Sequence, residues 1–448
     1  MRVKGYSSYL KTGIVFLWLI VLYSWPMWWN GWPLVFNDTA SYLETARTGG
    51  AFLQQSPGYG LFIHVLLLLW NAPQMIALAQ TALVIIALWH LGRTVGTPRR
   101  CLTLTLILLG IVTPLPLICV MLLPDALFVA GAAALISLLL HPRPATPWGP
   151  IALVSLAMSV HYATAILFIV ILLISQLVLR LTPKDSHIKN TTRGFITILV
   201  VIYVATLLSL RLLYPRPRVP AWSTNMVAQL VDDNGPATDE LRDYCGQVDY
   251  SLCPYQALIA DTTADKFLWQ SGQALESLGG WADPPSDWRP LIFATIRHNP
   301  QKMMGWIAQR WHEQFFAVQV AYEFGQTSWD KNVTDSIAAS FGSSAAKVQL
   351  STKQEQSWFN LMPQPWPTVY DITAVISIIA PLLLWLFWRN DGRRHLGVVL
   401  LIALLTNALL MGTLSHPHNR YQLRLLFLPL ATLLFAVSTP LPNGRYRL

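Results

Sequence analysis

Nine uncharged stretches constrain the fold of this chain more than any other feature of its sequence. A helix needs roughly 17–25 mostly apolar residues to cross a bilayer. Stretches without Asp, Glu, Lys or Arg lie at 12–37, 48–92, 101–124, 126–142, 144–179, 194–210, 372–388, 395–419 and 425–444. Only 12% of all residues are charged, against about 25% in a soluble domain. The pattern predicts a polytopic helical membrane protein and excludes a cytosolic enzyme or a disordered chain.

One region interrupts the apolar pattern. Residues 214–368 contain most of the acidic residues and no apolar stretch long enough to span a bilayer. We therefore predict a transmembrane core at 1–213, a soluble and largely helical domain at 214–368, and C-terminal transmembrane helices at 369–448.

Clusters of Lys and Arg orient the predicted spans, because cytoplasmic loops are enriched in both residues. Such clusters precede the first stretch, lie at 93–100, 180–193 and 389–394, and end the chain. If all are cytoplasmic, both termini lie inside and the 214–368 domain lies outside, which corresponds to the periplasm of a bacterial inner membrane. The net charge of +9 then reflects topology, and no nucleic-acid partner is expected.

The stretch at 48–92 is longer than one crossing needs and too short for three crossings. Because its two ends must lie on opposite sides of the membrane, we predict one crossing. The surplus residues at 58–70 are predicted to form a helix in the outer interface. Counting the first stretch, about ten transmembrane helices result. The others are predicted at 72–91, 101–122, 126–141, twice within 144–179 with a turn near His161, and at 194–213, 369–388, 395–413 and 421–438.

Three polar segments fall at the predicted outer ends of spans. Asp38 and Tyr42 follow the first span, Asp125 precedes the fourth, and residues 415–424 precede the last. Two carboxylates beside a cluster of Arg and His indicate acid–base chemistry next to an anion site, since Arg binds phosphate through paired N–H groups. The structural alternative is that each polar group only ends a helix at the interface.

The order of these segments resembles the GT-C class of membrane glycosyltransferases, which take sugars from polyprenyl-phosphate carriers and include the protein mannosyltransferase and aminoarabinose transferase superfamily. The likeness covers about 1–215 and 369–440. It rests on Asp-Thr-Ala-Ser-Tyr at 38–42, Ser-Pro-Gly-Tyr-Gly-Leu-Phe at 56–62, Leu-Leu-Pro-Asp-Ala-Leu at 122–127, and the Arg420-Tyr421 pair with Pro429.

The resemblance implies transfer of a sugar from a lipid-phosphate donor to a glycan, lipid or protein acceptor on the outer face. Asp38 is then the base or the carboxylate that orients the acceptor, with Asp125 as a second catalytic carboxylate. The other implied site residues are Arg420, Arg424 and His418 for the carrier phosphate, and Tyr42, Tyr59, His161 and Tyr421 as substrate contacts. No cofactor is certain; a divalent metal stays open, with Asp38, Asp125 and His418 as candidate ligands.

Two cysteines of the outer domain predict a disulfide. Cys245 and Cys253 lie eight residues apart, in a segment assigned to an oxidising compartment. The same domain predicts helices at 254–278 and 290–316, the second of them with an apolar stripe at helical spacing.

Two other functional classes stay open. An O-antigen polymerase or ligase acting on diphosphate-linked glycans shares the topology but does not need an Asp in the first loop. A lipid or oligosaccharide transporter is disfavoured, because transporters carry polar groups at mid-membrane and internal repeats, and the candidate chemistry here lies at one interface.

Overall fold

A computed structural model describes residues 3–50, 55–140, 148–181, 203–204, 222–260, 262–270, 272–280, 284–320, 331–355, 364–388 and 395–439. Its helices are α1 (Val3–Tyr23), α2 (Trp25–Asn30), α3 (Thr39–Thr48), α4 (Pro57–Leu69), α5 (Pro73–Val95), α6 (Arg99–Val112), α7 (Leu115–Val120), α8 (Asp125–Leu140), α9 (Trp148–Val160), α10 (Tyr162–Leu181), α11 (Trp222–Val231), α12 (Pro236–Tyr244), α13 (Gln256–Ile259), α14 (Ala264–Trp269), α15 (Ala274–Ser277), α16 (Trp288–His298), α17 (Pro300–Phe316), α18 (Lys331–Phe341), α19 (Ser343–Leu350), α20 (Trp366–Phe387), α21 (His395–Leu414) and α22 (Asn419–Val437).

The apolar helices make this chain a helical membrane protein. Within the described ranges, α5, α20, α21 and α22 are long and apolar enough to cross a bilayer, and α1, α4, α8, α9 and α10 contribute shorter apolar segments. The total of about ten spans stays a prediction, and the predicted span at 194–213 falls almost wholly outside the described residues.

The third predicted span is wrong as a single helix. The structure divides 101–122 into α6 and α7, with a break at Thr113 and Pro114. Pro114 and Pro116 explain the break, because proline lacks an N–H donor and disfavours a helical conformation in the preceding residue. The chain then continues extended, and Leu34 and Met121 form an isolated parallel bridge.

The segment predicted at the interface forms a separate helix, α4. The Ser56 hydroxyl accepts a hydrogen bond from Gly58 N at its start, and the helix ends at Leu69 before α5 begins at Pro73. Two glycines let α4 approach its neighbours closely. A Cβ on Gly58 would lie 2.2 Å from the Ser159 carbonyl oxygen, and one on Gly60 would lie 2.4 Å from Thr45 Cγ2.

The window at 144–179 contains two helices, as the sequence predicts. α9 ends at Val160, α10 begins at Tyr162, and His161 occupies the turn between them. The Ser56 hydroxyl binds the Ser159 carbonyl, which ties this turn to the start of α4.

The described helices of the polar domain, predicted at 214–368, fall into two parts, one with a compact core of its own and one that packs elsewhere. Apolar side chains of α11 to α17 enclose a core around the buried Trp288, and Cys245 and Cys253 form a disulfide at its edge. By contrast, Val333 and Ile337 of α18 join the large core that includes the transmembrane helices. The last part of this region therefore packs on the membrane-embedded part of the protein.

The predicted helix at 254–278 is wrong. The structure has a short 3₁₀ turn followed by α13, α14 and α15. The Thr263 hydroxyl accepts a hydrogen bond from Lys266 N, and a side-chain cap of this kind begins a new helix. The predicted helix at 290–316 is divided into α16 and α17 at Asn299 and Pro300.

α17 fastens the polar domain to the last transmembrane helices. Trp311 Nε1 donates to the Leu405 carbonyl of α21 at 3.1 Å. Gly412 of α21 makes the approach close, because a Cβ there would lie 2.4 Å from the Arg310 carbonyl oxygen. This contact brings the polar domain next to the loop at 415–418 that leads into α22.

Candidate functional site

The loop between α2 and α3 is held against the segment that leads to Asp125. Leu34 N donates to the Val120 carbonyl at 3.1 Å, and Leu122 N donates to the Leu34 carbonyl at 2.8 Å. The Thr39 hydroxyl accepts from Phe36 N and donates to the Leu122 carbonyl at 3.1 Å. These bonds bring the start of α3, with Asp38 at its N-terminus, close to the start of α8, where Asp125 lies.

A glutamine that the sequence analysis did not single out fixes the same loop. Gln354 Oε1 accepts from Val35 N at 3.1 Å, and its Nε2 donates to the Val35 carbonyl at 2.9 Å. Its own backbone N–H donates to Asn30 Oδ1 at 2.8 Å. The residue is 2% exposed, so it satisfies backbone groups that water does not reach. Nothing in the local sequence pattern signals this role.

Asp38 pairs with Arg420, which lies 382 positions further along the chain. Arg420 Nη2 is 2.8 Å from Asp38 Oδ2, and the arginine and aspartate side chains are 9% and 29% exposed. The guanidinium stacks over the Phe36 ring at 4.1 Å. This first pair is thus accessible from solvent on the Asp38 side.

Asp125 pairs with Arg424, one helical turn further along α22. Arg424 Nη1 is 2.9 Å from Asp125 Oδ1, and the arginine and aspartate side chains are 1% and 8% exposed. The guanidinium lies over the Phe128 ring at 4.4 Å, and its Nη2 lies 3.4 Å from Met411 Sδ. This second pair is therefore buried more deeply than the first.

Tyr421 links the two pairs. Arg420 and Arg424 lie 5.0 and 5.2 Å from the centroid of its ring. Its hydroxyl accepts from Arg420 Nη2 at 3.3 Å and from the Ser415 hydroxyl at 3.2 Å. Two carboxylates and two guanidinium groups from three distant parts of the sequence therefore form one cluster.

Tyr42 and Tyr59 form an aromatic pair beside this cluster. Their rings make an edge-to-face contact with centroids 4.9 Å apart. Burial raises the pKa of Tyr42 well above its usual value, and the charges of Asp38 and Asp125 raise it further, while Arg420 lowers it. Tyr42 is therefore a neutral hydroxyl at physiological pH. Tyr59 is fully buried and donates to Gln80 Oε1 at 2.9 Å.

His161 reaches the same cluster from the turn between α9 and α10. Burial lowers its pKa to about 4, and the charges of Arg424 and Arg420 lower it as well, against opposing contributions from Asp125 and Asp38. The ring is therefore neutral at physiological pH. Its Nδ1 is buried without a hydrogen-bond partner among the described residues.

The ring of His418 belongs to a second cluster. It lies 5.5 Å from the His416 ring and 5.5 Å from the Tyr421 ring. Burial, followed by the charges of Arg420 and His416, lowers the pKa of His418 to about 3. In the part of the chain that the structure describes, Asp265, His416 and His418 are the one group of three metal-ligating side chains whose donor atoms all lie within 4.8 Å of one another.

The two candidate carboxylates do not fit a divalent cation as they stand. Asp38 and Asp125 each carry a guanidinium at 2.8 and 2.9 Å, and a dication at the same oxygens would be repelled by both. Among the described residues, Asp38, Asp125 and His418 do not bring their donor atoms together as one group of three ligands.

Comparisons with known proteins give one similar structure. No protein-family model and no curated protein match the chain. Among solved structures, the chain is similar to the crystal structure of ArnT from Cupriavidus metallidurans in the apo state, at 12% sequence identity and a TM-score of 0.35. The match covers 96% of this chain and 78% of that one. The case for a function rests on the side chains of the site.

Proposed function

We propose that this protein is a GT-C-type membrane glycosyltransferase that transfers a sugar from a polyprenyl-phosphate carrier to an acceptor on the outer face of the membrane. The observation that carries the proposal is the cluster in which Tyr421 joins the Asp38–Arg420 pair to the Asp125–Arg424 pair. The order of motifs along the sequence supports the same class.

The proposed reaction exchanges one bond at the anomeric carbon for another and moves one proton. The acceptor oxygen bonds to the anomeric carbon, and the bond from that carbon to the phosphate oxygen breaks, so that its electron pair leaves with the polyprenyl phosphate. The acceptor must lose its proton during this step. We assign the proton to the Asp38 carboxylate, because it is the more exposed of the two, at 29% against 8% for Asp125.

Arg420 and Arg424 are the groups proposed to bind the carrier phosphate. A guanidinium has five N–H donors, and Arg424 uses one of them on Asp125, while its Nε has no hydrogen-bond partner among the described residues. Positive charge that is already fixed in a site of low water content stabilises the negative charge that develops on the leaving phosphate. In this proposal Asp125 holds Arg424 in position, and His418 lies at the border of the site.

Binding of the carrier lipid tests the anion site. The protein is purified in detergent, and its affinity for undecaprenyl phosphate is measured against undecaprenol and undecaprenyl diphosphate. We expect the monophosphate to bind more tightly than the alcohol, and Arg420→Ala to weaken it about tenfold or more, since charge-assisted hydrogen bonds contribute about 1.5–3 kcal/mol each. Arg47→Ala is the matched control, because Arg47 is an exposed arginine of α3, outside the charge cluster.

Two results would redirect this proposal. If the Arg420→Ala and Arg424→Lys variants bind undecaprenyl phosphate as the wild type does, the arginines are not the anion site. Preference for the diphosphate would favour the polymerase or ligase class instead. Neither outcome depends on knowing the sugar.

Turnover tests the role of Asp38. With a panel of undecaprenyl-phosphate sugars, release of free undecaprenyl phosphate is measured in membranes that contain candidate acceptors. Asp38→Asn should abolish release without loss of the folded protein, whereas Glu44→Gln on the neighbouring helix α3 should leave release unchanged. Near wild-type turnover in the Asp38→Asn variant would show that Asp38 is not the base.

A further inference from the structure

Three side chains outside the charge cluster converge at the boundary between the polar domain and the last two helices. His416 and His418 lie on the loop between α21 and α22, and Asp265 lies on α14 of the polar domain. One donor atom from each lies within 4.8 Å of the others. We propose that these three residues bind a divalent transition-metal ion, with zinc as the ion that suits the set best.

The donor set suits zinc. Two imidazole nitrogens and one carboxylate oxygen are common zinc ligands, with bond lengths of about 2.0–2.2 Å. Donor atoms at that distance from a tetrahedral ion lie about 3.4 Å apart. His416 Nδ1 and Asp265 Oδ2 are 4.0 Å apart, beyond hydrogen-bond distance and close to the spacing that a shared ion would give. Because the Asp265 side chain is 49% exposed, it is free to close the difference.

The His416 ring has the orientation of a metal ligand. Its Nδ1 is buried and has no hydrogen-bond partner among the described residues. Its opposite nitrogen, Nε2, lies 3.8 Å from Asp232 Oδ2. A histidine that binds a metal through one nitrogen usually directs the other to a carboxylate, and Asp232 fits that role.

Asp232 connects two of the three ligands. It is fully buried, pairs with Arg310, and accepts from Ala264 N at 2.7 Å through its other oxygen. Ala264 immediately precedes Asp265. One buried carboxylate therefore fixes the backbone next to Asp265 and faces the His416 ring.

The backbone of the histidine loop is also fixed. Gln314 of α17 accepts from His418 N and donates to the His418 carbonyl, both at 2.9 Å. Such contacts reduce the ordering that metal binding requires. The proposed ion would also link the polar domain to the loop at 415–418, which lies directly before Asn419 and Arg420.

Zinc titration of the untagged full-length protein tests the site. The protein in detergent is treated with a chelator, exchanged into metal-free buffer and titrated with Zn²⁺ by calorimetry. Co²⁺ is added in parallel, because its visible absorption reports a site with nitrogen and oxygen ligands. We expect one strong site per chain in the wild type. Asp265→Asn and His416→Gln should weaken it at least tenfold.

Two matched variants control for surface binding. His312→Gln removes an exposed histidine of α17, and Asp249→Asn removes an exposed carboxylate of the polar domain. Both should bind zinc as the wild type does. Zinc should raise the melting temperature of the wild type and of both controls, but not that of Asp265→Asn, whose partly exposed side chain can change without loss of the fold.

The proposal is overturned if the wild type binds no zinc, or if Asp265→Asn and His416→Gln bind it as tightly as the two controls. The three residues would then form a polar cluster without a metal. Because no sugar donor enters this experiment, its result is independent of the glycosyltransferase proposal.

Discussion

Replacing Asp125 by alanine should destabilise this protein more than any loss of a surface ion pair. Asp125 is 8% exposed and is the carboxylate that pairs with Arg424, whose side chain is 1% exposed. The variant leaves that guanidinium buried over the Phe128 ring with no negative charge beside it. The energy lost is therefore mainly the cost of an unpaired buried cation.

The magnitude follows from this burial. Removing one partner of a buried ion pair costs about 3–5 kcal/mol. At roughly 2 °C per kcal/mol for a large chain, the melting temperature should fall by about 6–10 °C. Replacing both partners removes the unpaired charge, so that Asp125→Ala combined with Arg424→Met should recover most of the loss.

The Glu44–Arg47 pair of α3 supplies the control. Its side chains are 31% and 47% exposed, and an exposed pair of this spacing contributes about 0.2–0.5 kcal/mol. Glu44→Ala should therefore shift the melting temperature by about 1 °C or less. The measurement is the fraction of monodisperse protein that survives heating in detergent, determined by size-exclusion chromatography.

Equal melting temperatures for Asp125→Ala and Glu44→Ala would refute this reasoning, since they would mean that Arg424 finds other partners or water. A double variant no more stable than Asp125→Ala would also refute it. The loss would then come from packing around Asp125 and not from the unpaired charge.

Three further variants test the fold around the site. Gly412→Ala should lower the free energy of unfolding by about 1–3 kcal/mol through overpacking against the Arg310 carbonyl, whereas Gly305→Ala, with open space around it, should not. Thermal melting in detergent compares the two variants, and equal melting temperatures would contradict the close approach of Gly412 to Arg310. Gln354→Ala should make the loop between α2 and α3 more susceptible to proteolysis, because two buried backbone groups lose their partner at about 1–3 kcal/mol each. An unchanged cleavage rate would contradict the role of Gln354 in holding this loop. In a variant that lacks the four native cysteines, Asn71→Cys should react only with reagent added from outside, as the interfacial position of α4 predicts. Labelling from the cytoplasm alone would show that the segments after α4 have the opposite orientation to the predicted one.

The apolar runs of the sequence determined where most membrane helices lie. The predictions at 369–388, 395–413 and 421–438 correspond to Trp366–Phe387, His395–Leu414 and Asn419–Val437. The turn near His161 also follows from the length of its window. These features are predictable because a lipid environment requires long apolar helices with charged residues at their ends.

Local breaks were predicted less well, although the signals were present. Pro114 and Pro116 mark the break between α6 and α7, and Thr263 marks the start of α14. Both act at short range, but apolar content dominates a prediction based on window length. In the polar domain, moreover, helices of four to six residues carry too few residues to show a helical period.

The sequence by itself determined that Asp125 and the 415–424 segment lie near the ends of apolar helices and that Asp38 follows the first apolar stretch. The tertiary structure decided that Asp38 meets Arg420 while Asp125 meets Arg424, across 382 and 299 positions, and that Gln354 holds the loop between α2 and α3. It also brought Asp265 to the two histidines. The physical reason is that apolar runs fix which segments enter the membrane, whereas the partner of a polar side chain depends on how helices distant in sequence pack against one another.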